Sequence, residues 1–297
     1  MKTFVPSFLL LCLCLAACQP AEPLENLEEA IAQEMERSPG VFALAFLDLQ
    51  DSSNQLLIRA HDEFHAASTM KTPVMIEIFK QAEAGRFHMQ DSVIIRNEFH
   101  SIVDGSLFSL SHIEDSGDKY YSHIGGKATI YDLTYDMIIN SSNLATNLVI
   151  GLVGAEEVTQ TMRELGAPDI EVLRGVEDLK AYERGMNNTT TAYDLMKIFE
   201  AIGEGNAVSP AASQAMIDIL LDQSFNEVIP SMLPESVRVA HKTGTISTVD
   251  HDSGLVLLPD GRRYVIVTLS RDFESRDLAR DIMGKISLLV YKHMMGA

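Results

Sequence analysis

The stretch Val237-Arg-Val-Ala-His-Lys-Thr-Gly-Thr-Ile246 ends a strand-like run with the polar segment Lys242-Thr243-Gly244-Thr245. Two polar clusters precede it, Ser68-Thr69-Met70-Lys71 and Ser141-Ser142-Asn143. In chain order, the three clusters have the patterns S-x-x-K, S-x-N and K-T-G. Each pattern is weak alone, so their order and separation carry the information.

Two further matches lie in less suitable places. Ser116-Gly117-Asp118-Lys119 fits S-x-x-K, but it lies in a polar loop with no helix to hold the lysine over the serine. Ser52-Ser53-Asn54 fits S-x-N, but it lies between two apolar runs and reads as a hairpin turn. K-T-G occurs once.

The ordered set resembles that of the penicillin-recognising serine hydrolases, which include the serine β-lactamases and cell-wall peptidases. The resemblance covers nearly the whole chain after its leader. It favours the class A β-lactamase branch, to which the runs 137–148 and 188–192 are most similar. It implies an α/β part and an all-α part, with the active site in the cleft between them.

The distribution of strand and helix signals independently predicts an α/β fold. Strand-like segments lie near both chain ends, at 41–49, 55–59, 236–240, 254–258 and 264–270. Residues 68–225 between them have mostly helical periodicity. We therefore expect an antiparallel sheet from both ends, flanked by helices at 26–37 and 275–294, with an inserted all-α subdomain.

The N-terminus predicts secretion and lipid attachment. Lys2 precedes an apolar run, 8–14, that is too short to span a bilayer. Leu15-Ala16-Ala17-Cys18 resembles a bacterial lipobox, which implies cleavage before Cys18 and acylation of its sulfur. The alternative is an ordinary signal with an accidental cysteine. We expect a lipoprotein signal peptide at 1–17, a tether at 18–25 and a catalytic domain at 26–297, anchored in the cell envelope.

Composition limits the possible partners. The chain has 42 Asp and Glu against 23 Lys and Arg, a net charge of −19. Such a charge argues against nucleic acid and against electrostatic binding to anionic lipid. Cys12 and Cys14 would leave with the signal, so the mature domain would have no disulfide. The histidines lack metal-ligand spacing, and the pattern of Asp250-His251-Asp252 is typical of a turn, so we expect no metal or cofactor. Separately, we expect a monomer.

Ser68 and Lys71 have the spacing of a nucleophile and its base. Ser68 precedes an apolar helical run, which places it at a helix N-terminus where free N–H groups favour a developing alkoxide. Lys71 lies one turn later on the same face. In a desolvated cleft, its amine can lose its charge and accept the serine proton. Taken alone, such a pair is more often a helix cap and a solvated lysine, and the other two motifs change that interpretation.

The resemblance implies roles for the S-x-N residues. Ser141 would pass a proton to the leaving nitrogen, and the amide of Asn143 would hold the amide side chain of the substrate. The middle residue in class A enzymes is most often Asp, whereas here it is Ser142. We expect that change to make the loop less rigid without removing a catalytic group.

The resemblance also implies roles for the K-T-G residues. Lys242, on an edge strand, would add positive charge near a substrate carboxylate that the hydroxyls of Thr243 and Thr245 could bind. Gly244 would let the substrate backbone approach closely. The N–H groups of Ser68 and Thr245 would form the oxyanion hole.

The chain departs from class A enzymes in the loop that activates the deacylating water. The family pattern is R-x-E-x-x-L-N, but the stretch from Arg174 reads R-G-V-E-D-L-K, so Val176 occupies the Glu position. Glu177 lies one residue off. The loop is one residue shorter than the family pattern, so Glu177 could move into place as the base, with Glu183 as the alternative. Arg174 and Asn188 would brace the loop.

Two other features differ from the family. No arginine flanks K-T-G at the usual spacing, and Arg271 is either a substitute or a solvated residue at a strand end. The segment 100–126 is longer than is typical and reads as a surface insertion, although Tyr120 and Tyr121 could line the cleft rim.

Together these features predict a serine hydrolase that acts on β-lactam rings through an acyl-enzyme. Two alternatives remain. A DD-peptidase acting on D-Ala-D-Ala stems would fit the displaced glutamate. A receptor would be acylated by a β-lactam or muropeptide and stay acylated.

Overall fold

A five-stranded antiparallel sheet forms the centre of the computed structural model, which describes residues 24–296. Numbered along the chain, its strands lie in the order β2 (Gln55–Ile58), β1 (Val41–Asp48), β11 (Arg263–Arg271), β10 (Val249–Leu257) and β9 (Arg238–Ile246). Both chain ends contribute strands, which confirms the predicted α/β fold class. K-T-G lies on β9, at one edge of the sheet.

Helices dominate the rest of the described chain. They are α1 (Leu24–Met35), α2 (Lys71–Glu83), α3 (Ile130–Ile139), α4 (Asn143–Val153), α5 (Ala155–Glu164), α6 (Leu179–Glu183), α7 (Ala192–Gly203), α8 (Pro210–Leu221) and α9 (Arg276–Met295). Short two-stranded ladders lie among them: β3 (Phe64–His65) with β8 (Thr189–Thr190), β4 (Ser92–Ile94) with β7 (Lys127–Thr129), and β5 (Phe99–His100) with β6 (Leu107–Phe108). Strands of two or three residues are too short to show a sequence period.

The central sheet is buried on both faces. Along β1, Phe46 packs into the cluster formed with α1 and α9, whereas its neighbours Ala45 and Leu47 pack against the central helices. This alternation follows from the two-residue period of a strand. The sheet is therefore held between two apolar layers, and its edge strand β9 faces the helical part of the chain.

Several boundaries differ from the sequence prediction. Strand β10 begins at Val249, so Asp250, His251 and Asp252 lie within a buried strand rather than in a turn. Helix α1 begins at Leu24, so the last two residues of the predicted tether are helical. Residues 1–23, including the predicted signal peptide and Cys18, lie outside the described part of the chain. Within residues 24–296, no helix has the length and apolarity needed to cross a bilayer.

Candidate active site

The three polar clusters meet in one cleft beside β9. Ser68 lies in a 3-10 turn, Ala67–Met70, that leads into α2, rather than at the first turn of the α-helix as expected. Ser141 and Asn143 lie where α3 ends and α4 begins. Ser68 and Asn143 line both cavities of the cleft, together with Thr245.

The cleft has two arms that meet at Ser68. The larger, of about 460 Å³, is lined in part by the exposed side chains of Leu179 and Tyr182, and we call it the apolar arm. The smaller, of about 290 Å³, is lined by Glu114, Glu227 and other polar residues, and we call it the polar arm. A substrate reacting at Ser68 could place an apolar group in one arm and a polar group in the other.

Strand β9 passes very close to the turn that carries Ser68. A Cβ atom added to Gly244 would lie 3.1 Å from the Ser68 nitrogen and 3.0 Å from both the nitrogen and Cγ2 of Thr69. These neighbours include backbone atoms that cannot move aside easily. Position 244 therefore requires glycine because the strand passes so close to the backbone at Ser68. The expected reason was a close approach of the substrate backbone.

Lys71 is a buried amine held by oxygen atoms. It is the first residue of α2, and its Nζ donates to the carbonyl oxygen of Ser141 at 2.7 Å, to Ser141 Oγ at 3.1 Å and to Asn143 Oδ1 at 3.0 Å. Burial lowers the pKa of Lys71 from 10.5 to about 7, and Asp115 is the largest charge opposing that shift. Near neutral pH, a large fraction of the amine is therefore able to accept a proton.

Lys242 is a second buried amine that contacts the hydroxyl of Ser141. Its Nζ donates to Ser141 Oγ at 3.2 Å and to the Thr243 carbonyl at 2.9 Å. Burial lowers the pKa of Lys242 well below its usual value, and the charge on Lys71 lowers it further. Ser141 has a φ of 57°, a left-handed conformation that costs about 1–3 kcal/mol in a non-glycine residue. The fold thus holds this hydroxyl between two amines.

Asn143 connects Lys71 to Glu177. Its Oδ1 accepts from Lys71, and its Nδ2 donates to Glu177 Oε1 at 2.7 Å. Glu177 lines the apolar arm with Ser68 and has a φ of 62°. Burial raises the pKa of Glu177, and the hydrogen bond from Asn143 opposes the rise. The weaker candidate, Glu183, is exposed at the end of α6.

The loop that carries Glu177 is braced without the ion pair usual in the family. The buried guanidinium of Arg174 donates to the carbonyl oxygens of Met186 and Gly175 and to Asn187 Oδ1. The Asn188 side chain accepts from the Arg174 nitrogen and donates to its carbonyl oxygen. Arg174 and Asn188 therefore contact each other at the base of this loop, as the sequence suggests.

The position of Val176 is also fixed. The side chain of Asn147 pairs with the Val176 backbone on both sides, accepting from its nitrogen at 2.7 Å and donating to its carbonyl at 3.0 Å. Val176 lines the apolar arm. An apolar side chain thus occupies the position where the family pattern has its glutamate, and the carboxylate that reaches Asn143 comes from the next residue.

The arginine at the polar arm is not the one expected. Arg271 donates to the carbonyl oxygen of Glu63 and lies over the Phe64 ring, 4.9 Å from its centroid. Arg280, from α9, lines the polar arm instead. Arg271 lines neither arm of the cleft, so of the two interpretations left open its contacts favour a residue at a strand end. The spacing along the chain could not reveal Arg280, because α9 reaches the cleft only through the packing of the fold.

Arg280 already has a buried partner. Its Nε donates to Asp250 Oδ2 at 2.8 Å, and Arg276 Nε lies 3.3 Å from the same oxygen. Asp250 Oδ1 accepts from the hydroxyl of Thr245 at 2.9 Å. Burial raises the pKa of Asp250, and the hydrogen bond from Arg280 opposes the rise. One carboxylate between two guanidinium groups leaves a local excess of positive charge beside Asp250, while Glu114 and Glu227 line the same arm.

Asp115 is a site residue that the sequence analysis missed. It lies in the segment predicted to be a surface insertion, but it is only 8% exposed. Its carboxylate accepts from the backbone nitrogens of Asn143 and Leu144, each at 2.9 Å. The neighbouring Tyr120 is buried as well. The prediction of a simple surface insertion was therefore wrong for this part of the segment.

No metal site accompanies these groups in the described part of the chain. Among residues 24–296, no three His, Cys, Asp or Glu side chains come together in a way that could hold a metal ion.

Comparison with known proteins agrees with this geometry. A sequence model of the β-lactamase enzyme family matches residues 26–294. A β-lactamase of Bacteroides uniformis is 24% identical over 99% of this chain and 100% of its own length. A β-lactamase of Rhodobacter capsulatus is 28% identical over 97% and 96%, respectively.

Solved structures are similar over the same extent. The structure of PBP-A has a TM-score of 0.79 at 28% identity, covering 94% of this chain and 99% of its own. A second structure, of a mutant of PBP-A, is an acyl-enzyme complex with penicillin G. The fold, the family match and these structures support membership of the penicillin-recognising serine hydrolase superfamily. The chain belongs to the β-lactamase enzyme family.

Proposed function

We propose that the protein hydrolyses β-lactams through an acyl-enzyme on Ser68. The observation that carries the proposal is the unbroken chain of contacts from Lys242 through Ser141, Lys71 and Asn143 to Glu177. It holds the Ser141 hydroxyl between two amines of lowered pKa and joins Lys71, through Asn143, to a carboxylate that lines the same cavity as Ser68.

Acylation would begin with Lys71 as base. Its neutral amine takes the proton of Ser68 as Oγ bonds to the lactam carbonyl carbon. The oxyanion then faces the N–H groups of Ser68 and Thr245. As the C–N bond breaks, the ring nitrogen takes a proton from Ser141, which is replaced along the hydrogen bonds from Lys71 or Lys242. The penicillin G acyl-enzyme of the PBP-A mutant supports this reaction class.

Substrate binding would use both arms of the cleft. The apolar arm would take the acyl side chain, and Asn143 would hold its amide. The substrate carboxylate, which is on the same side as the leaving ring nitrogen, would lie in the polar arm. There the hydroxyl of Thr243 and the positive charge of Arg280 favour an anion. Thr245 would contribute its N–H more than its hydroxyl, because that hydroxyl already donates to Asp250.

Deacylation would depend on Glu177. A carboxylate held 2.7 Å from Asn143 Nδ2, in an arm that also contains Ser68, can take a proton from a water molecule attacking the ester. The ester C–O bond breaks, and the proton that Glu177 took from water passes through Lys71 to the Ser68 oxygen, which restores the carboxylate and the serine hydroxyl. Burial raises the pKa of Glu177, so as pH falls this step should lose rate at a higher pH than it would with an ordinary glutamate.

A DD-peptidase is the second candidate. One observation favours it: the apolar Val176 lies at the family's glutamate position. A peptidase would form the same acyl-enzyme but release a penicilloyl group slowly, while turning over peptides that end in D-Ala-D-Ala. A receptor would turn over neither.

Turnover of two substrates separates these functions. The purified protein and its Ser68→Ala variant would be given benzylpenicillin and an acyl-D-Ala-D-Ala peptide, with products followed by chromatography. We expect many turnovers of penicillin, little peptide cleavage and no activity in Ser68→Ala. Peptide turnover with stalled penicillin would favour the peptidase. Equal activity of Ser68→Ala would exclude the serine mechanism altogether.

We also propose that the protein is lipid-anchored in the bacterial cell envelope. The basis is the run Leu15-Ala16-Ala17-Cys18, which lies outside the described residues. Acyl chains on Cys18 would be the anchor. Intact mass of the detergent-extracted protein should show the acyl groups, and Cys18→Ser should release the protein from the membrane fraction. An unmodified mass for the membrane-associated protein would contradict the anchor.

A further inference from the structure

The carboxylate of Asp115 is buried, although residues 111–114 just before it are exposed. Both of its oxygens are fully used. Oδ1 accepts from the nitrogens of Asn143 and Gly117 at 2.9 and 3.0 Å. Oδ2 accepts from the nitrogen of Leu144 and from the hydroxyl of Tyr121, each at 2.9 Å. Four donors on one carboxylate fix its position closely.

Two of these donors are free N–H groups at the start of α4. The first N–H groups of a helix have no partner within the helix, and they attract negative charge. Asp115 accepts from those of Asn143 and Leu144, and Ser142 Oγ accepts from Ala145 at 3.3 Å. The S-x-N loop is therefore capped by its own serine together with an aspartate from a different segment.

The loop that carries Asp115 also lies directly against Ser142. The hydroxyl of Ser142 donates to the Gly117 carbonyl at 3.1 Å, and a Cβ atom added to Gly117 would lie 2.6 Å from the Cβ of Ser142. A side chain at position 117 would therefore clash with Ser142, so the close contact requires glycine at 117. The carboxylate that class A enzymes most often carry at the position of Ser142 is replaced here by one that the insertion supplies.

We propose that Asp115 is a positioning residue for the acylation step, holding Asn143 by its backbone and placing a negative charge beside the base Lys71. Asn143 matters because its side chain joins Lys71 to Glu177. The inference rests on the proposed acyl-enzyme chemistry. It assigns Asp115 no contact with substrate.

The charge of Asp115 gives the proposal a distinctive readout. Among the nearby charges, Asp115 acts most strongly to keep the pKa of Lys71 from falling further. The other groups that act on Lys71 come from three elements: Glu177 in the loop before α6, Asp136 on α3 and Lys242 on β9. Since acylation needs the neutral amine, its rate should rise as pH passes through the pKa of Lys71.

Asp115→Asn tests this directly. The acylation rate of nitrocefin, a chromogenic β-lactam, would be measured by stopped flow from pH 5 to 9. The amide keeps the size of Asp115 but loses its charge, so the midpoint of the rise should move down by roughly one pH unit. The plateau rate should fall about ten-fold, because an amide cannot accept from all four donors.

Two further variants separate charge from structure. Asp118→Asn removes an exposed acid from the same segment, and it should leave both midpoint and plateau unchanged. Tyr121→Phe removes one donor but keeps the Asp115 charge, so its midpoint should stay at the wild-type value. If Asp115→Asn fails to fold, Asp115→Glu keeps the charge on a longer side chain and should retain the midpoint with a lower plateau.

The outcomes are distinct. A lowered plateau with an unmoved midpoint in Asp115→Asn would overturn the proposal and leave Asp115 a purely structural residue. For Asp115→Glu, a midpoint that moves with the plateau would also overturn it. If the wild-type protein is not acylated at all, the proposed function fails, and that result is visible before any variant is made.

Discussion

Lys71 and Lys242 present two amines to the hydroxyl of Ser141, and burial rather than sequence context gives them their chemistry. A lysine in water is protonated near neutral pH and cannot act as a base. Here, burial lowers the pKa of Lys71 to about 7 and that of Lys242 well below its usual value. The spacing of S-x-x-K predicts the partnership of Ser68 and Lys71, but it is burial that gives Lys71 the lowered pKa that a base needs.

At the residue scale, the wild-type pH profile is a direct prediction. The lowered pKa means that Lys71 loses its proton as pH rises through about 7, so the acylation rate should be low at pH 5 and reach its plateau near pH 8. Stopped-flow acylation by nitrocefin measures it. A rate that is flat from pH 5 to 9, or that falls with rising pH, would show that Lys71 is not the base.

At the scale of elements, the site depends on how β9 meets the turn before α2. The separation of K-T-G from S-x-x-K by most of the chain says nothing about this contact. It is the antiparallel pairing of β9 with β10, and the packing of the turn against β9, that bring Gly244 to the backbone of Ser68. The sequence analysis placed K-T-G on an edge strand, and the structure confirms that position.

The strand contact leads to a prediction for Gly244→Ala. The new methyl group would lie 3.0 to 3.1 Å from Thr69 and the Ser68 nitrogen, so β9 must move away by a few tenths of an ångström. Losing an oxyanion donor outright costs about 10²–10³-fold in a serine protease, and partial loss should lower acylation about ten- to a hundred-fold. Rate constants from stopped flow measure the effect.

Gly151→Ala is the matched control. It lies in α4, and a Cβ there would meet nothing within 4 Å. This variant should acylate like the wild type and be slightly more stable, since alanine favours a helix over glycine. Equal acylation rates for Gly244→Ala and Gly151→Ala would contradict the idea that the approach of β9 to Ser68 sets the oxyanion hole.

On the scale of the whole molecule, the sequence predicts what local patterns encode. The α/β class, the sheet from both ends and the membership of the family follow from strand signals and three short motifs. Asp115 and Arg280 could not be found that way. One comes from an insertion and the other from the last helix, and each reaches the cleft only through tertiary packing.

Glu177, displaced by one residue from the family's glutamate position, also shows what a sequence pattern alone cannot predict. Aligning R-x-E-x-x-L-N by residue places Val176 at the catalytic position, and the spacing alone leaves open whether Glu177 can replace it. The left-handed backbone of Glu177 and its hydrogen bond to Asn143 show the carboxylate reaching the cleft. Whether it activates water there remains a prediction, and the central claim of β-lactam hydrolysis depends on it.

Intact-protein mass spectrometry of wild type and Glu177→Gln, mixed with benzylpenicillin and sampled over time, tests that claim most directly. We expect the wild-type adduct to clear with turnover, and the variant to acylate at a similar rate but hold its adduct at least about 100-fold longer. Glu183→Gln, a change at an exposed carboxylate, should behave like the wild type. Adducts that clear equally fast in Glu177→Gln and wild type, or a wild-type adduct that lasts for hours, would contradict the account.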